Sequence, residues 1–310
     1  MLNETIMFKK NFEDDIKYEI KRISYNIGIK VKLTDRIDKI LRDYLTVRFK
    51  LISLKKRNIR FNPDFLSELD SHHQKKEIEF ISQIAKKGGN LNIFQSKRLF
   101  QTGFHDYLMS EWNIYHFHLS LEKDKKSKFV KQVNNLLFAY IEDNQVIFLG
   151  TDDHKEGIFA DVKWIEIIHD YFPEVIEKYK DDTIKEISPK LNSVERQILW
   201  NKGYTIGMTK VRDVVYHNPG IGRSVSGHSS KVISTEIEIL SWIYKLNEQI
   251  DDYGNLLCEY LNVDTENAEF KIKFNDNLEI IEQTSGIKIL DFPQILLNKE
   301  ELINKLNKNL

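Results

Sequence analysis

Residues 112–154 read WNIYHFHLSLEKDKKSKFVKQVNNLLFAYIEDNQVIFLGTDDH, and their pattern sets the fold class. Ile114–Leu121 alternates apolar and polar residues, the period of a half-buried strand. Val133–Glu142 and Gln145–Thr151 are two apolar runs joined at Asp143-Asn144, a hairpin signal. Side chains on a strand share a face every second residue. His116, His118 and Ser120 are therefore expected together, with Tyr115 and Phe117 on the opposite, core-facing side. His154 closes the second arm of the hairpin.

Working outward, Asn62-Pro63-Asp64 starts a helix carrying Phe65, Leu66, Leu69, Ile78, Ile81 and Ile84, which Gly88-Gly89 ends. An earlier helix is predicted from Thr34 to about residue 57, and the alternation in residues 16–32 predicts one or two strands. On the other side, Ala160–Tyr171 has helical spacing and Pro173 closes it. Residues 180–190 read as a linker, and Ser193 opens a short helix ending at Lys202-Gly203. Two short strands and a Gly/Ser loop then lead to an amphipathic helix over Val232–Leu257. The tail predicts a hairpin (FKIKF, NDN, LEIIEQ), a short strand (IKIL) and a final helix from about residue 298. No βαβ rhythm is present. The expectation is α+β, with helices packed on small antiparallel sheets and more than one subdomain. The expected regions are 1–58, 59–182 and 190–310.

The chain of 310 residues is 41% hydrophobic, which excludes wholesale disorder. The lone Cys258 excludes an internal disulfide and a multi-Cys zinc site. No apolar run approaches a membrane span, and the charged start MLNETIMFKKNFEDD does not read as a signal peptide, so the expected compartment is the cytoplasm. Charge is split: residues 1–131 hold 27 Lys+Arg against 17 Asp+Glu, residues 132–310 hold 19 against 30. Such a split points to a basic half that meets a polyanion, to two halves that meet each other, or to a mosaic of solvated faces.

The segment from the helix before Lys86, Lys87, Lys97 and Arg98 through the strand, basic stretch and hairpin to His154 resembles the RelE/ParE superfamily of bacterial toxins. The resemblance covers about 110 residues and lies in the order of elements. It implies N-terminal helices on a four-stranded antiparallel sheet. It also implies either metal-independent cleavage of RNA, usually at the ribosome, or binding to gyrase, together with an antitoxin or other protein partner and a role in growth arrest or phage defence. The chain departs from the family in carrying His116 and His118 where Arg is usual, and in flanking the domain on both sides.

The residues themselves suit the first activity. Histidine titrates near neutral pH, so His116, His118 and His154 are candidate acid, base or phosphate partners. Arg98, Lys123, Lys125, Lys126 and Lys128 are candidate nucleic-acid contacts. No cofactor and no metal ligand set is assigned, and no membrane partner.

Other readings remain open. His-x-His with Asp152, Asp153 or His154 has the spacing of a metal-dependent phosphoesterase. His118-Leu119-Ser120 and His228-Ser229-Ser230 could pair as a two-histidine phosphoesterase. In Asn218–Ser230, Arg223, Ser229 and Ser230 could bind an anion before the long helix. Arg212 and His217 have the Arg-x4-His spacing of HEPN ribonucleases, but Val214-Val215-Tyr216 reads as a strand, which that motif does not allow. A protein-binding module, with the acidic half masking the basic half, needs no chemistry at all. His169 and the pair His72-His73 read as packing and solvated residues.

Overall fold

The computed structural model describes residues 8–274 and 278–291. After the two-residue strand β1 (Lys9–Lys10) comes a helix, α1 (Phe12–Ile27), where strands were expected. Asn11 accepts a hydrogen bond from the Asp14 N–H, and Glu13, Asp14 and Asp15 fill the first turn. Phe12, Ile16 and Ile20 are buried at four-residue spacing while Tyr18 is exposed, which is a helical stripe. The next helix, α2 (Ile37–Lys50), stops short of residue 57.

A strand with no expected counterpart follows, β2 (Asn58–Phe61). The helix predicted from Asn62 is split into α3 (Pro63–Glu68) and α4 (Lys75–Lys87). Gly88 ends α4 in the left-handed conformation, φ 78°, and a Cβ there would meet Lys56 N at 2.9 Å. Then come α5 (Tyr107–Trp112), β3 (Ile114–His118), β4 (Asn135–Ile141), β5 (Gln145–Asp153), α6 (Lys163–Tyr171) and α7 (Pro173–Ile176). The expected linker contains β6 (Lys180–Asp181) and is followed by α8 (Ser193–Asn201), β7 (Met208–Val211) and β8 (Val214–His217). The long helix α9 spans Ser230–Leu261, and β9 (Glu269–Phe274), β10 (Leu278–Glu282) and β11 (Lys288–Asp291) complete the described chain. The turn at 275–277 and the final helix expected from residue 298 lie outside the described residues.

The fold is α+β, and the chain divides into two compact units. One comprises residues 1–45 and 234–310, the other residues 46–233. These are not the three consecutive regions expected, because residues distant in sequence share a sheet. In the first unit the sheet order is β1-β9-β10-β11, with β1 parallel to β9. Phe12, Ile16 and Ile20 share its core with Trp242, Leu246 and Ile250 of α9.

The second unit is built on a sheet of order β2-β5-β4-β3. The β3–β4–β5 meander is antiparallel, as the sequence predicts, but β2 joins β5 in parallel. The sheet lies between two apolar layers. Phe117, Leu137, Ala139, Val146 and Phe148 pack with Ile78, Ile81 and Ala85 of α4 on one face. Ile114, Leu136, Phe138, Tyr140, Ile147 and Leu149 pack with Trp112, Trp164, Ile165 and Trp200 on the other. Burial on both faces explains why LLFAYI carries no polar alternation. The β6-β8-β7 sheet adds Val211 and Tyr216 to the tryptophan-rich layer. Among the described residues no helix is long and apolar enough to cross a membrane.

Candidate active site

The register of β3 puts Phe117 in the α4 layer and His116 and His118 on the tryptophan-rich face. There a cavity of about 750 Å³ opens, lined by His105, Asp106, His116, His118, His154 and Phe159 together with Arg98, Asn134, Gln197 and Trp200. The three predicted histidines therefore meet. His154 reaches the site because its N–H donates to Asn134 O at 2.8 Å, extending the β4–β5 ladder past the Asn135–Asp153 pair. Phe159 lies between two of them, its ring centre 4.9 Å from His116 and 5.1 Å from His154. Beneath, Phe138 stacks on Trp164 at 4.0 Å.

Each histidine has a different setting. His118 Nδ1 faces the Val133 backbone, 2.9 Å from its carbonyl oxygen and 3.2 Å from its N–H, so the contact suits either tautomer of the neutral ring, and the tautomer with the proton on Nδ1 leaves Nε2 an acceptor. Burial pushes its pKa down to about 4, with His116 and His154 adding to the fall and the Val133 bond opposing it. His116 Nδ1 is buried and has no hydrogen-bond partner among the described residues. It stands 3.7 Å from Asp106 Oδ2. Burial lowers the His116 pKa, Asp106 opposes that, and His154 adds to it. His154 is exposed.

Asp106 and His105 carry no sequence spacing that ties them to the histidines, and sequence reasoning missed them. The local signal is a helix start: Asp106 caps α5 by accepting from the Met109 N–H at 3.1 Å. The loop ahead of it is fixed by Lys50, whose buried ammonium donates to Gln101 O at 2.8 Å and Phe104 O at 2.9 Å. Burial brings the Lys50 pKa down to about 8. His105 is also pushed down to about 4, by burial first, then by His228, Lys50 and Arg223.

The basic residues divide. Arg98 lines the cavity with its guanidinium 4.3 Å over the Phe104 ring, and among the described residues it has no carboxylate partner. Lys123, Lys125, Lys126 and Lys128 are exposed on the loop after β3, outside the cavity lining. That loop is held by an ion pair of Lys97 with Asp124 and by the Lys123–Val130 bridge.

The expected anion site at Arg223, Ser229 and Ser230 is not one. Arg223 is buried, donates to Trp200 O at 3.0 Å and Tyr204 O at 2.9 Å, and lies 4.0 Å over the Tyr107 ring. Its Nε is 3.7 Å from the buried Glu111 carboxylate, which also accepts from Thr205 Oγ1 at 2.9 Å and from Asn218 Nδ2. Gly220 and Gly222 donate to Glu111 O and Ser110 O, each at 2.9 Å, and a Cβ at Gly220 would collide with the α5 backbone. The glycines serve close packing on α5, not an approach to phosphate. Ser229 is buried and its carbonyl accepts the first α9 bonds, while the Ser230 N–H donates to Gly222 O.

The remaining histidine readings separate as well. His228 lies against His105, ring centres 4.8 Å apart, and does not line the cavity, so no second His-x-Ser faces His118. Arg212 pairs with Asp170 and His217 with Asp181, on and beside a strand. His169 bonds Tyr216, and His72 bonds Thr151. Among the described residues no group of three or more His, Cys, Asp or Glu is arranged to hold a metal ion, and Asp152 is engaged by Lys155 and Lys163.

Comparison with family models, with curated proteins and with solved structures finds no match for this chain.

Proposed function

We propose that the chain is a metal-independent endoribonuclease. The observation that carries this reading is the convergence of His116, His118 and His154 with Asp106 and Arg98 in one cavity. Transfer within RNA needs a base for the 2′-hydroxyl, an acid for the leaving oxygen, and positive charge for the phosphorane. His118 is the base: its ring is held by the Val133 backbone, and in the tautomer that donates from Nδ1 to Val133 O its Nε2 is free to take a proton. His116 is the acid. A phosphodiester entering the cavity adds negative charge to that of Asp106, and both favour the imidazolium. The 2′-oxygen attacks phosphorus as His118 takes its proton. The P–O5′ bond breaks as His116 delivers a proton to O5′, giving a 2′,3′-cyclic phosphate and a 5′-hydroxyl. Arg98 and His154 stabilise the non-bridging oxygens, and Lys123, Lys125, Lys126 and Lys128 hold the flanking backbone. The resemblance to RelE/ParE toxins extends the reading to growth arrest or phage defence, with the ribosome or free RNA as the target and a protein partner as restraint.

The test is digestion of total RNA by the purified protein, with and without EDTA, beside His118→Ala. Cleavage that survives EDTA and disappears in the variant is expected. Cleavage lost with EDTA, or retained by the variant, overturns the assignment.

A further inference from the structure

Two flat groups line the same cavity as the three histidines. One is the Phe159 ring, half-buried against Phe138 and flanked by His116 and His154. The other is the exposed Arg98 guanidinium over Phe104. No carboxylate among the described residues draws Arg98 out of that plane. Beside His154 stands Asn134, exposed, with a side chain that makes no hydrogen bond among the described residues and a backbone fixed by the His154 N–H. Aromatic rings and arginine planes are the surfaces on which splayed-out bases stack, and a free amide can read a base edge.

We propose that this cavity takes an unpaired dinucleotide step of RNA, one base stacked on Phe159 and its neighbour on the Arg98–Phe104 layer, which sets the intervening phosphate among the three histidines. The proposal rests on the ribonuclease reading and names its substrate: single strands, loops and bulges rather than duplex. The volume of about 750 Å³ falls in the range of sites for small organic groups. Bases of a duplex are already stacked on one another, and they reach such a cavity only after being unpaired and turned out.

The test is fluorescence anisotropy with the full chain. The probe is a short unstructured oligoribonucleotide carrying 2′-fluoro riboses, which lack the attacking hydroxyl, free or annealed to its complement. The single strand is expected to bind at least tenfold more tightly than the duplex. Phe159→Leu lowers affinity for the single strand about tenfold, as removal of one stacked base does. It leaves duplex binding unchanged, and Phe159→Tyr restores the wild-type value. Arg98→Lys, at an exposed position that does not support the core, keeps the charge, loses the plane and weakens single-strand binding severalfold. Equal binding of strand and duplex, or wild-type affinity in both Phe159→Leu and Arg98→Lys, overturns the proposal. If unmodified RNA is still cut in that case, the ribonuclease reading survives alone. Binding that depends on Phe159 without cleavage of unmodified RNA retains the base site and removes the nuclease. Absence of binding removes both.

Discussion

His118 and Asp106 carry the sharpest expectations at the scale of single residues. His118 has a pKa near 4 in the folded chain against 6.5 when unfolded. Between those values the unfolded chain binds the extra proton, so stability is complete above about pH 6.5 and falls as pH drops toward 4. His105 contributes in the same direction. Urea melts across that range should show the loss, and His118→Gln should flatten it. An unchanged pH profile in the variant would place the acid sensitivity elsewhere. Asp106→Asn keeps the cap on α5, since Asn caps as well as Asp, but removes the charge 3.7 Å from His116. Nitrogen-15 spectra should show the His116 pKa lower in that variant. The alkaline limb of the cleavage rate should shift to lower pH with it. A His116 titration identical to wild type would remove Asp106 from the mechanism. The histidine face of β3 was legible because period two is the only periodicity a strand has. Asp106 was not, because its approach to His116 depends on how α5 docks and not on sequence distance.

At the scale of elements, the glycine loop and α5 behave as one piece. Glu111 compensates Arg223 beneath the cavity, so Glu111→Ala leaves a buried cation unmatched, and denaturant midpoints should report a destabilisation of about 3–5 kcal/mol. Gly220→Ala should cost about 1–3 kcal/mol by forcing the loop off the α5 backbone. A neutral Gly220→Ala would mean that the loop moves freely there. The same elements show what sequence could and could not give. The β4–β5 hairpin was plain because both arms are continuous apolar runs meeting at Asp143-Asn144. In residues 16–27, Ile16, Tyr18 and Ile20 fit alternation as well as a helix. The cap at Asn11 and the acidic first turn carried the deciding signal, and Tyr18, 61% exposed, confirms the helical stripe. The anion reading of residues 218–230 failed because glycines that admit a ligand and glycines that admit a neighbouring backbone look alike in sequence.

For the whole molecule, the split of charge along the chain maps only partly onto its two units. The unit of residues 46–233, which holds the cavity, carries 29 Lys+Arg and 24 Asp+Glu; the other carries 17 and 23. RNA affinity should therefore fall steeply with salt. Replacing Lys125, Lys126 and Lys128 by Gln should reduce the slope of log affinity against log salt by about one for each phosphate left without its lysine. A slope unchanged by all three replacements would remove that loop from the interface. Folding also links distant parts of the sequence within this unit. Arg196, Trp200 and Arg223, all beyond residue 190, complete the packing around Trp112 of α5.

β3 is one of the two edge strands of its sheet, while β4 is covered by strands on both edges and by apolar layers on both faces. Amide hydrogens of the two strands should then exchange with deuterium by different routes. Those of Leu136–Ile141 wait for the whole unit to open, whereas those of Ile114–His118 escape through smaller, more frequent excursions. The two strand histidines thus ride on a terminal rung of a rigid ladder, and a bound oligonucleotide should register as slowed exchange at that rung.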